Sequence, residues 1–401
     1  MAGPLTGYRV LDMSRVLAGP WAGQLLADLG ADVIKVERPK VGDDTRHWGP
    51  PYLKDTTGAD TEDAAYFFSA NRGKRSLTVD ITQPEGQDII RKLASKVDVL
   101  IENYKVGGLA KYGLDYSSLE KLNPKLVYCS ITGFGQTGPY AQRPGYDFLI
   151  QGMAGLMSVT GEPDSQNGGG PTKVGVAVTD IFTGLYAANA IQGALLERHH
   201  SGMGQYIDLA LLDVQAAVMA NQASNYLIGG QIPGRLGNAH PNIVPYQAFA
   251  TLDSHVIVAV GNDQQFQRFC KAIGEPKWAD DQRYATNTAR VNNRVTLCGQ
   301  ITKHLKQQTS QYWLSKFEDH AVPCGPINTI DQVFDDPQIQ SRNMVLTMQD
   351  PRAGELRLVA NPINYSRSQI EYHLAPPQLG NQTIEILQEY LEYAETTVKV
   401  L

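Results

Sequence analysis

Asp180 is the residue whose type and position point most directly to chemistry. It lies between an apolar, β-branched segment, 174–179, which predicts a buried strand, and a segment rich in small helix formers, 181–198, which predicts a buried helix. A carboxylate at this junction would accept N–H groups of the first helical turn, which lowers its pKa and keeps it ionised. Asp180 is therefore either a helix cap or a nucleophile that attacks an activated acyl group to give a mixed anhydride.

A second candidate is the loop segment RLGNAHPN, which contains Gly237, Asn238 and His240. Because glycine makes a loop mobile, the segment predicts either a lid that excludes water or a site for a substrate carboxylate. A surface histidine without such a role is the alternative.

A third candidate is the glycine-containing turn at 19–23, between the first predicted strand and the first predicted helix. Such a turn can present backbone N–H groups to a phosphate, and the helix dipole adds to the attraction. The spacing is not GxGxxG, so no nicotinamide cofactor is expected, and a purely structural turn is the alternative. Arg38, just past the next predicted strand, either binds an anion or is solvated.

Composition excludes several classes of protein. The chain has 401 residues and a formal net charge of −6, so it lacks the basic field that nucleic acid or an acidic membrane would attract. Its four cysteines show no CxxC spacing, and neither a disulfide framework nor a metal site is expected. Because no apolar run reaches membrane-spanning length, we expect a cytoplasmic protein, or a mitochondrial-matrix protein whose transit peptide has been removed.

Strand and helix patterns alternate in the first third of the chain. This rhythm predicts an α/β fold with a parallel sheet that is covered by helices on both faces. The predicted strands are 8–12, 31–37, 75–81, 97–103 and 125–134.

The rest of the chain predicts a second, smaller unit. A glycine-rich loop at 160–172 separates the two regions, and alternating segments around residues 252–254 predict a β-hairpin that opens an α+β unit. The helical stretch 283–318 would complete that unit. The tail, 383–393, predicts one amphipathic helix.

Six segments in chain order carry a family resemblance. They are DMSRVLAGPWAGQLLADLGADVIKVERPKVGDDTR, NRGKRSLTVDITQPEG, DVLIENYKVGGLAKYGL, ITGFGQTGPYAQRPGYDFLIQGMAG, VGVAVTDIFTGLYAANAIQGALLER and PCGPI. Together they resemble the class III CoA-transferases, the family of formyl-CoA transferase and carnitine CoA-transferase. The resemblance covers nearly the whole chain.

The resemblance implies a fold and an assembly. It implies a Rossmann-like large domain built from both ends of the chain, a smaller α+β domain, and a homodimer whose two subunits interlock as linked rings. In this chain the large domain would comprise residues 1–205 and 325–401 and the small domain residues 225–305. Linkers would lie at 206–224 and 306–324.

The resemblance also implies site residues. Asp180, in the motif VAVTD, would be the nucleophile, and coenzyme A or an acyl-CoA would be the substrate, without a metal. Many members carry arginine where this chain has Lys111, which keeps the charge but loses the bidentate fork. The matching CoA contacts are Val16, Leu17, Ala18, Arg38, Val79, Ile81, Asn103, Tyr104, Lys111, Tyr146 and Asp147.

The activity implied is transfer of CoA from an acyl-CoA to a free carboxylate through an aspartyl anhydride and an aspartyl-CoA thioester. The loop with Gly237, Asn238 and His240 resembles that of members that move CoA between succinate and other dicarboxylates, such as glutarate. We therefore expect succinyl-CoA as the donor, with Asn238 and His240 as charge-assisted donors to the acceptor's distal carboxylate.

The alternative activity is that of the related α-methylacyl-CoA racemases. Those enzymes pair a histidine with the aspartate, and the matching position in this chain is Tyr146. A tyrosine with a pKa near 10 is a poor second base, so acyl transfer is favoured over epimerisation.

Overall fold

The computed structural model describes residues 2–393, which form two units. The large unit comprises the chain up to residue 156, residues 174–224, and the chain from residue 337 onward. The small unit comprises residues 157–173 and 225–336. Within residues 2–393, no helix is both long enough and apolar enough to cross a membrane.

Strands and helices are numbered in chain order. The strands are β1 (Arg9–Asp12), β2 (Asp32–Glu37), β3 (Tyr52–Lys54), β4 (Asp60–Ala64), β5 (Lys74–Thr78), β6 (Val99–Glu102), β7 (Val127–Thr132), β8 (Tyr206–Ala210), β9 (Tyr246–Ala250), β10 (His255–Ala259), β11 (Cys324–Gly325), β12 (Val345–Asp350) and β13 (Gly354–Val359). The helices are α1 (Ala18–Asp28), α2 (Ala65–Phe68), α3 (Pro84–Ala94), α4 (Tyr116–Leu119), α5 (Asp147–Met153), α6 (Leu156–Val159), α7 (Val178–Ser201), α8 (Leu211–Val218), α9 (Ala220–Leu227), α10 (Asp263–Ala272), α11 (Asn287–Asn292), α12 (Arg294–Leu305), α13 (Ser310–Asp319), α14 (Ile330–Asp335), α15 (Pro337–Ser341) and α16 (Thr383–Leu391). Single turns of 3-10 helix occur at Asp44–His47, Ala110–Tyr112 and Pro276–Ala279.

The large unit is built on a sheet of order β5-β2-β1-β6-β7-β8, in which every neighbouring pair is parallel. Successive residues of a strand point to opposite faces, so Val10 packs with α1 and α7 whereas Leu11 packs with α3 and α16. Both faces are thus covered, and the predicted parallel sheet is confirmed.

The order of the strands creates a crevice between β1 and β6. The chain proceeds from β1 to β2 and β5 on one side of the sheet, and then returns to β6, β7 and β8 on the other. In open parallel sheets, ligands bind at such a reversal, outside the carboxyl ends of the strands, because the connections there diverge.

The predicted strand at 174–179 is wrong. The structure has irregular chain at this point, and α7 already begins at Val178. The N–H of Val174 donates to the side chain of Gln151 at 2.9 Å. Val176 is 60% exposed, so the apolar composition of the segment does not reflect burial in a sheet, and strand propensity alone is a weak guide where no neighbouring strand pairs with it.

The small unit contains the predicted β-hairpin, which is confirmed. Strands β9 and β10 pair in antiparallel register from Tyr246 opposite Ala259 to Ala250 opposite His255, and β11 extends the sheet beside β10. Helices α10, α12 and α13 supply Phe269, Ile301 and Phe317 to its core.

The unit boundaries differ from the predicted linkers. Segment 206–224 begins with β8, which pairs with β7 and completes the large sheet. Segment 306–324 contains α13, whose Trp313 and Phe317 are buried in the small-unit core. Both segments are therefore parts of the units and not linkers between them. Segment 157–173, which begins with residues of α6, also belongs to the small unit.

Candidate active site

A cleft of about 200 Å³ opens at the crevice between β1 and β6. The carboxyl ends of β1, β6 and β7 and the first turns of α1 and α7 surround it. Of the residues proposed from the sequence, those lining this cleft are Val16, Leu17, Ala18, Asn103, Tyr104, Tyr146 and Asp180.

A larger cavity of about 650 Å³ lies elsewhere in the large unit, between α1 and the β12–β13 hairpin. Its walls are mostly apolar, with Trp21, Phe68 and Leu356 among them, and they include none of the candidate residues. The small cleft is the better candidate for chemistry because it holds a carboxylate with a strongly perturbed pKa beside polar side chains.

Asp180 is the third residue of α7 and not its cap, which corrects one expectation. The cap is supplied instead by Asp147 from α5. Its carboxylate accepts the N–H of Thr179 at 2.9 Å and that of Asp180 at 3.4 Å. The side chain of Asp180 is therefore relieved of a capping role, and it lines the cleft.

The electrostatics of Asp180 also differ from the sequence-based expectation. Burial and the nearby negative charge of Asp147 raise the pKa of Asp180 to about 7, where a lowered value was expected. Desolvation disfavours the charged form, and a like charge adds to it. A carboxylate whose pKa is near 7 is a better nucleophile than an ordinary one and is still about half ionised at neutral pH.

Tyr66 is a neighbour of Asp180 that sequence reasoning missed. Burial and the charges of Asp180, Asp147 and Asp43 raise the pKa of Tyr66 to about 12, so the phenol stays protonated. Its ring packs edge-to-face on Trp48, with ring centroids 5.4 Å apart. No signal in the sequence could place it at this site, because α2 reaches this region only through the tertiary fold.

Asp147, proposed as a CoA contact, is not among the residues that line the cleft. It is buried, and its second oxygen accepts the amide of Gln151 at 2.7 Å. One oxygen of Asp147 holds the start of α7 and the other is held by Gln151 of α5, which gives Asp147 a positioning role.

The turn from Arg15 to Ala18 forms one wall of the cleft. Val16 has a φ of +70°, which is rare for a β-branched residue. The side chain of Asn103 holds Arg15, the residue before Val16. It accepts the N–H of Arg15 at 2.9 Å and donates to the carbonyl of Arg15 at 2.7 Å. Asn103 therefore both lines the cleft and fixes its wall.

Two arginines converge beside this wall. Arg15 and Arg38 donate to opposite oxygens of Asp44, at 3.3 and 2.8 Å. Arg15 also lies over the ring of Tyr104, 5.5 Å from its centroid. Arg15 was missed from the sequence, although it directly precedes Val16.

A narrow second cavity continues from the cleft. Arg15 and Tyr104 line both cavities, and the second adds Arg38, Val79 and Ile81 from the predicted set. The two cavities together are lined by guanidinium groups and by both polar and apolar side chains, which suits a long ligand that carries phosphates.

Lys111, in contrast, lines neither cavity. Its ammonium lies over the ring of Tyr112, 4.6 Å from the centroid. Arg143, which sequence reasoning missed, is a cation that does line the cleft, and its guanidinium lies 4.6 Å from the centroid of Tyr140.

Gly237, Asn238 and His240 lie in the small unit. The Nδ1 atom of His240 accepts the N–H of Asn242 at 3.1 Å. Burial and the charge of Arg294 lower the pKa of His240, so it is neutral at pH 7 and can donate only as a neutral imidazole through Nε2. The charged donor beside this loop is therefore Arg294, which the sequence did not single out.

Metal-ligating side chains do not cluster in the part of the chain that the structure describes. No group of three or more His, Cys, Asp or Glu residues there could hold a metal ion.

Comparison with known proteins identifies the family. Residues 5–383 match the sequence model of CoA-transferase family III. The chain is 53% identical to the succinate–glutarate CoA-transferase of Agrobacterium fabrum, over 98% of this chain and 97% of that protein. It is 44% identical to the succinyl-CoA:glutarate CoA-transferase of Mus musculus, over 99% of this chain and 89% of that protein.

A solved structure agrees with the sequence matches. The crystal structure of a CAIB/BAIF family protein from Brucella suis aligns with a TM-score of 0.84 at 49% identity, over 97% of this chain and all of that one. The chain belongs to CoA-transferase family III, and it is a CoA-transferase that uses acyl-CoA substrates.

Proposed function

We propose that this enzyme moves CoA from succinyl-CoA to a dicarboxylate such as glutarate, with Asp180 as the nucleophile. The observation that carries the proposal is the cleft itself: Asp180, with its pKa raised to about 7, lines it together with the proposed CoA contacts Val16, Asn103 and Tyr104. The names of the related glutarate CoA-transferases support the choice of substrates.

The proposed reaction conserves the thioester through two kinds of intermediate. An oxygen of Asp180 attacks the thioester carbonyl, the C–S bond breaks, and CoA thiolate leaves an aspartyl anhydride. The thiolate then attacks the carboxyl carbon of Asp180, releasing succinate and forming an aspartyl-CoA thioester. The acceptor carboxylate repeats both steps in reverse, giving the new acyl-CoA and free Asp180.

The first turn of α1 is suited to the developing oxyanion. Helix N-terminal amides lack intrahelical acceptors, and α1 has no acidic residue in its first turn. Leu17 and Ala18 line the same cleft as Asp180. Their backbone amides are thus proposed to stabilise the negative charge on the thioester oxygen.

The direct test is to incubate the enzyme with succinyl-CoA and glutarate and to detect glutaryl-CoA by mass spectrometry. Asp180→Asn is expected to lower the rate at least about 10³-fold because the nucleophile is lost. Asp213→Asn is the matched control, since Asp213 is also the third residue of a helix, α8, but is exposed. Glutaryl-CoA formation that survives Asp180→Asn would refute the nucleophile.

The same experiment distinguishes the epimerase alternative. A chiral 2-methylacyl-CoA that is epimerised while no carboxylate accepts CoA would support racemase chemistry and would overturn acyl transfer.

The dicarboxylate specificity is assigned to the small unit. Asn238 and the neutral His240, with Arg294 nearby, are proposed to bind the acceptor's distal carboxylate. His240→Ala is expected to raise the KM for glutarate about tenfold, the effect of one lost hydrogen bond to a charged group. The KM for a monocarboxylate of similar size serves as the control and should not change.

The enzyme is further proposed to act as an interlocked homodimer. Along α7, Phe182, Leu185, Tyr186 and Leu196 are between 38 and 67% exposed, and a second subunit would cover these apolar side chains. Sedimentation equilibrium should give twice the chain mass at nanomolar concentration, because linked rings separate only on unfolding. A monomer under those conditions would exclude the interlocked form.

A further inference from the structure

The wall of the cleft that faces Asp180 contains a strained residue. Val16 has a φ of +70°, a left-handed conformation that is strained for a β-branched residue. Its position matters because the next residue, Leu17, is the cap of α1 and Ala18 is its first residue, and both line the cleft. Relaxation of Val16 would turn the N-terminal amides of α1 away from their present direction.

One buried carboxylate holds this conformation. Both oxygens of Asp43 lie 3.3 Å from the N–H of Val16. The N–H and hydroxyl of Thr45 donate to Asp43 as well, at 3.0 and 2.8 Å, and these bonds fix the direction of the carboxylate. The bonds from Thr45 thus fix the orientation in which the Asp43 carboxylate accepts the N–H of Val16.

A buried lysine locks Asp43 to the same turn. The ammonium of Lys35, on β2, donates to Asp43 at 2.8 Å and to the carbonyl of Ser14 at 3.1 Å. Both charged side chains are 0% exposed. Lys35 therefore holds the turn at Ser14 while Asp43 holds it at Val16, and neither can move without exposing or unpairing a buried charge.

We propose that Asp43 is a positioning residue for the reaction: it holds Val16 in its left-handed conformation and so aims the first-turn amides of α1 at the acyl-CoA. This inference rests on the proposed function, because the amides matter to catalysis only if Asp180 attacks the thioester beside them. Asp43 also borders the second cavity, but its side chain is 0% exposed and its carboxylate oxygens already accept bonds from Val16, Thr45 and Lys35, so its role is assigned through Val16.

The test uses exchange of label between succinyl-CoA and isotopically labelled succinate, which needs only the donor half of the reaction. Asp43→Ala is expected to lower kcat about 10- to 100-fold, as misplacement of catalytic groups by about an ångström does, with a smaller change in KM. Asp55→Ala is the matched control. Asp55 also accepts backbone N–H groups, those of Thr57 and Ala59, but in an exposed turn, and its loss should leave the exchange rate within about twofold.

Rescue separates positioning from a general loss of stability. Glycine adopts a positive φ without strain, so Val16→Gly added to Asp43→Ala should restore kcat severalfold even though it stabilises nothing else. A double variant that is no faster than Asp43→Ala, or an Asp43→Ala enzyme with unchanged kcat, would overturn the proposal.

Two further measurements keep the proposal testable. Asp43→Asn retains an acceptor oxygen for the N–H of Val16, and it replaces Asp43→Ala if that variant does not fold. It should lose less activity than a variant with no acceptor. An unchanged kcat in Asp43→Asn would count against positioning. Calorimetric titration with CoA needs no chemistry. If the wild-type enzyme exchanged no label, the proposed function would fail. Weaker CoA binding in Asp43→Ala that Val16→Gly restores would still support positioning. Unchanged CoA binding in Asp43→Ala would overturn it.

Discussion

The buried charges beneath the Val16 turn form ion pairs, whereas the carboxylates at the start of α7 do not. Beneath the turn, Lys35 pairs with Asp43 at 2.8 Å and Lys74 with Asp12 at 2.9 Å, and all four side chains are 0% exposed. At the start of α7, the charge of Asp147 acts on Asp180, and among the described residues no cation forms an ion pair with either carboxylate.

The difference shows in the acidity of the carboxylates. Burial opposes ionisation of Asp43, but Lys35 and the bonds from Thr45 outweigh it and lower its pKa to about 2. Burial and a like charge raise the pKa of Asp180 to about 7. Paired charges thus make the cleft wall rigid, and an unpaired carboxylate supplies a group that changes state near neutral pH.

Breaking one of the two buried ion pairs beneath the Val16 turn should have the largest effect on stability. Lys74→Met leaves Asp12 buried without its partner and is expected to destabilise the large unit by about 3–5 kcal/mol. Denaturant unfolding measures the loss. Lys54→Met, which breaks an exposed pair with Asp60, is the control and should cost at most about 1 kcal/mol. Equal losses in the two variants would contradict the distinction between buried and exposed pairs.

Removing the like charge at α7 should shift the pH dependence of the reaction. Asp147→Asn keeps an acceptor for the N–H of Thr179 but removes a negative charge, so the pKa of Asp180 should fall. It should fall only part of the way, because burial is the larger cause of its elevation. The acid limb of kcat/KM should move to lower pH, raising the rate at pH 6 about threefold relative to pH 8. An acid limb at its original pH would show that Asp147 does not influence Asp180.

A smaller effect, on the pH dependence of stability, is expected at Glu102, a buried acid at the end of β6. Burial raises its pKa from 4.5 to about 7, although bonds from Ser130 and the N–H of Tyr104 oppose the change. The native state therefore holds this proton more tightly than the unfolded state, and stability falls as pH rises from about 4.5 to 7.

Glu102→Gln removes that pH-dependent loss. The Tm of the variant minus that of the wild type should increase by about 1–3 °C between pH 5 and pH 8 and stay constant above. Glu85→Gln, at an exposed position of α3, should show no such trend. A Tm difference that does not depend on pH would mean that Glu102 is already ionised in the folded protein.

Much of the large unit was predictable because its segments carry strong local patterns. The strands at β1, β2, β5, β6 and β7 were all located to within a few residues, since a buried parallel strand is a short apolar run between helical patterns. The hairpin β9–β10 was predictable for a related reason, its alternation on both sides of a polar turn. The segment before α7 has the same β-branched composition but no strand neighbour, and there the prediction failed.

The amino-acid sequence by itself determined the alternation of strands and helices, the family, and Asp180 as the candidate nucleophile. The tertiary structure alone decided that Asp147 caps α7, that the charge of Asp180 acts on Tyr66, and that the pKa of Asp180 is raised and not lowered. Local patterns follow from neighbours in the chain, whereas a pKa follows from burial and from charges that the fold brings together from distant segments.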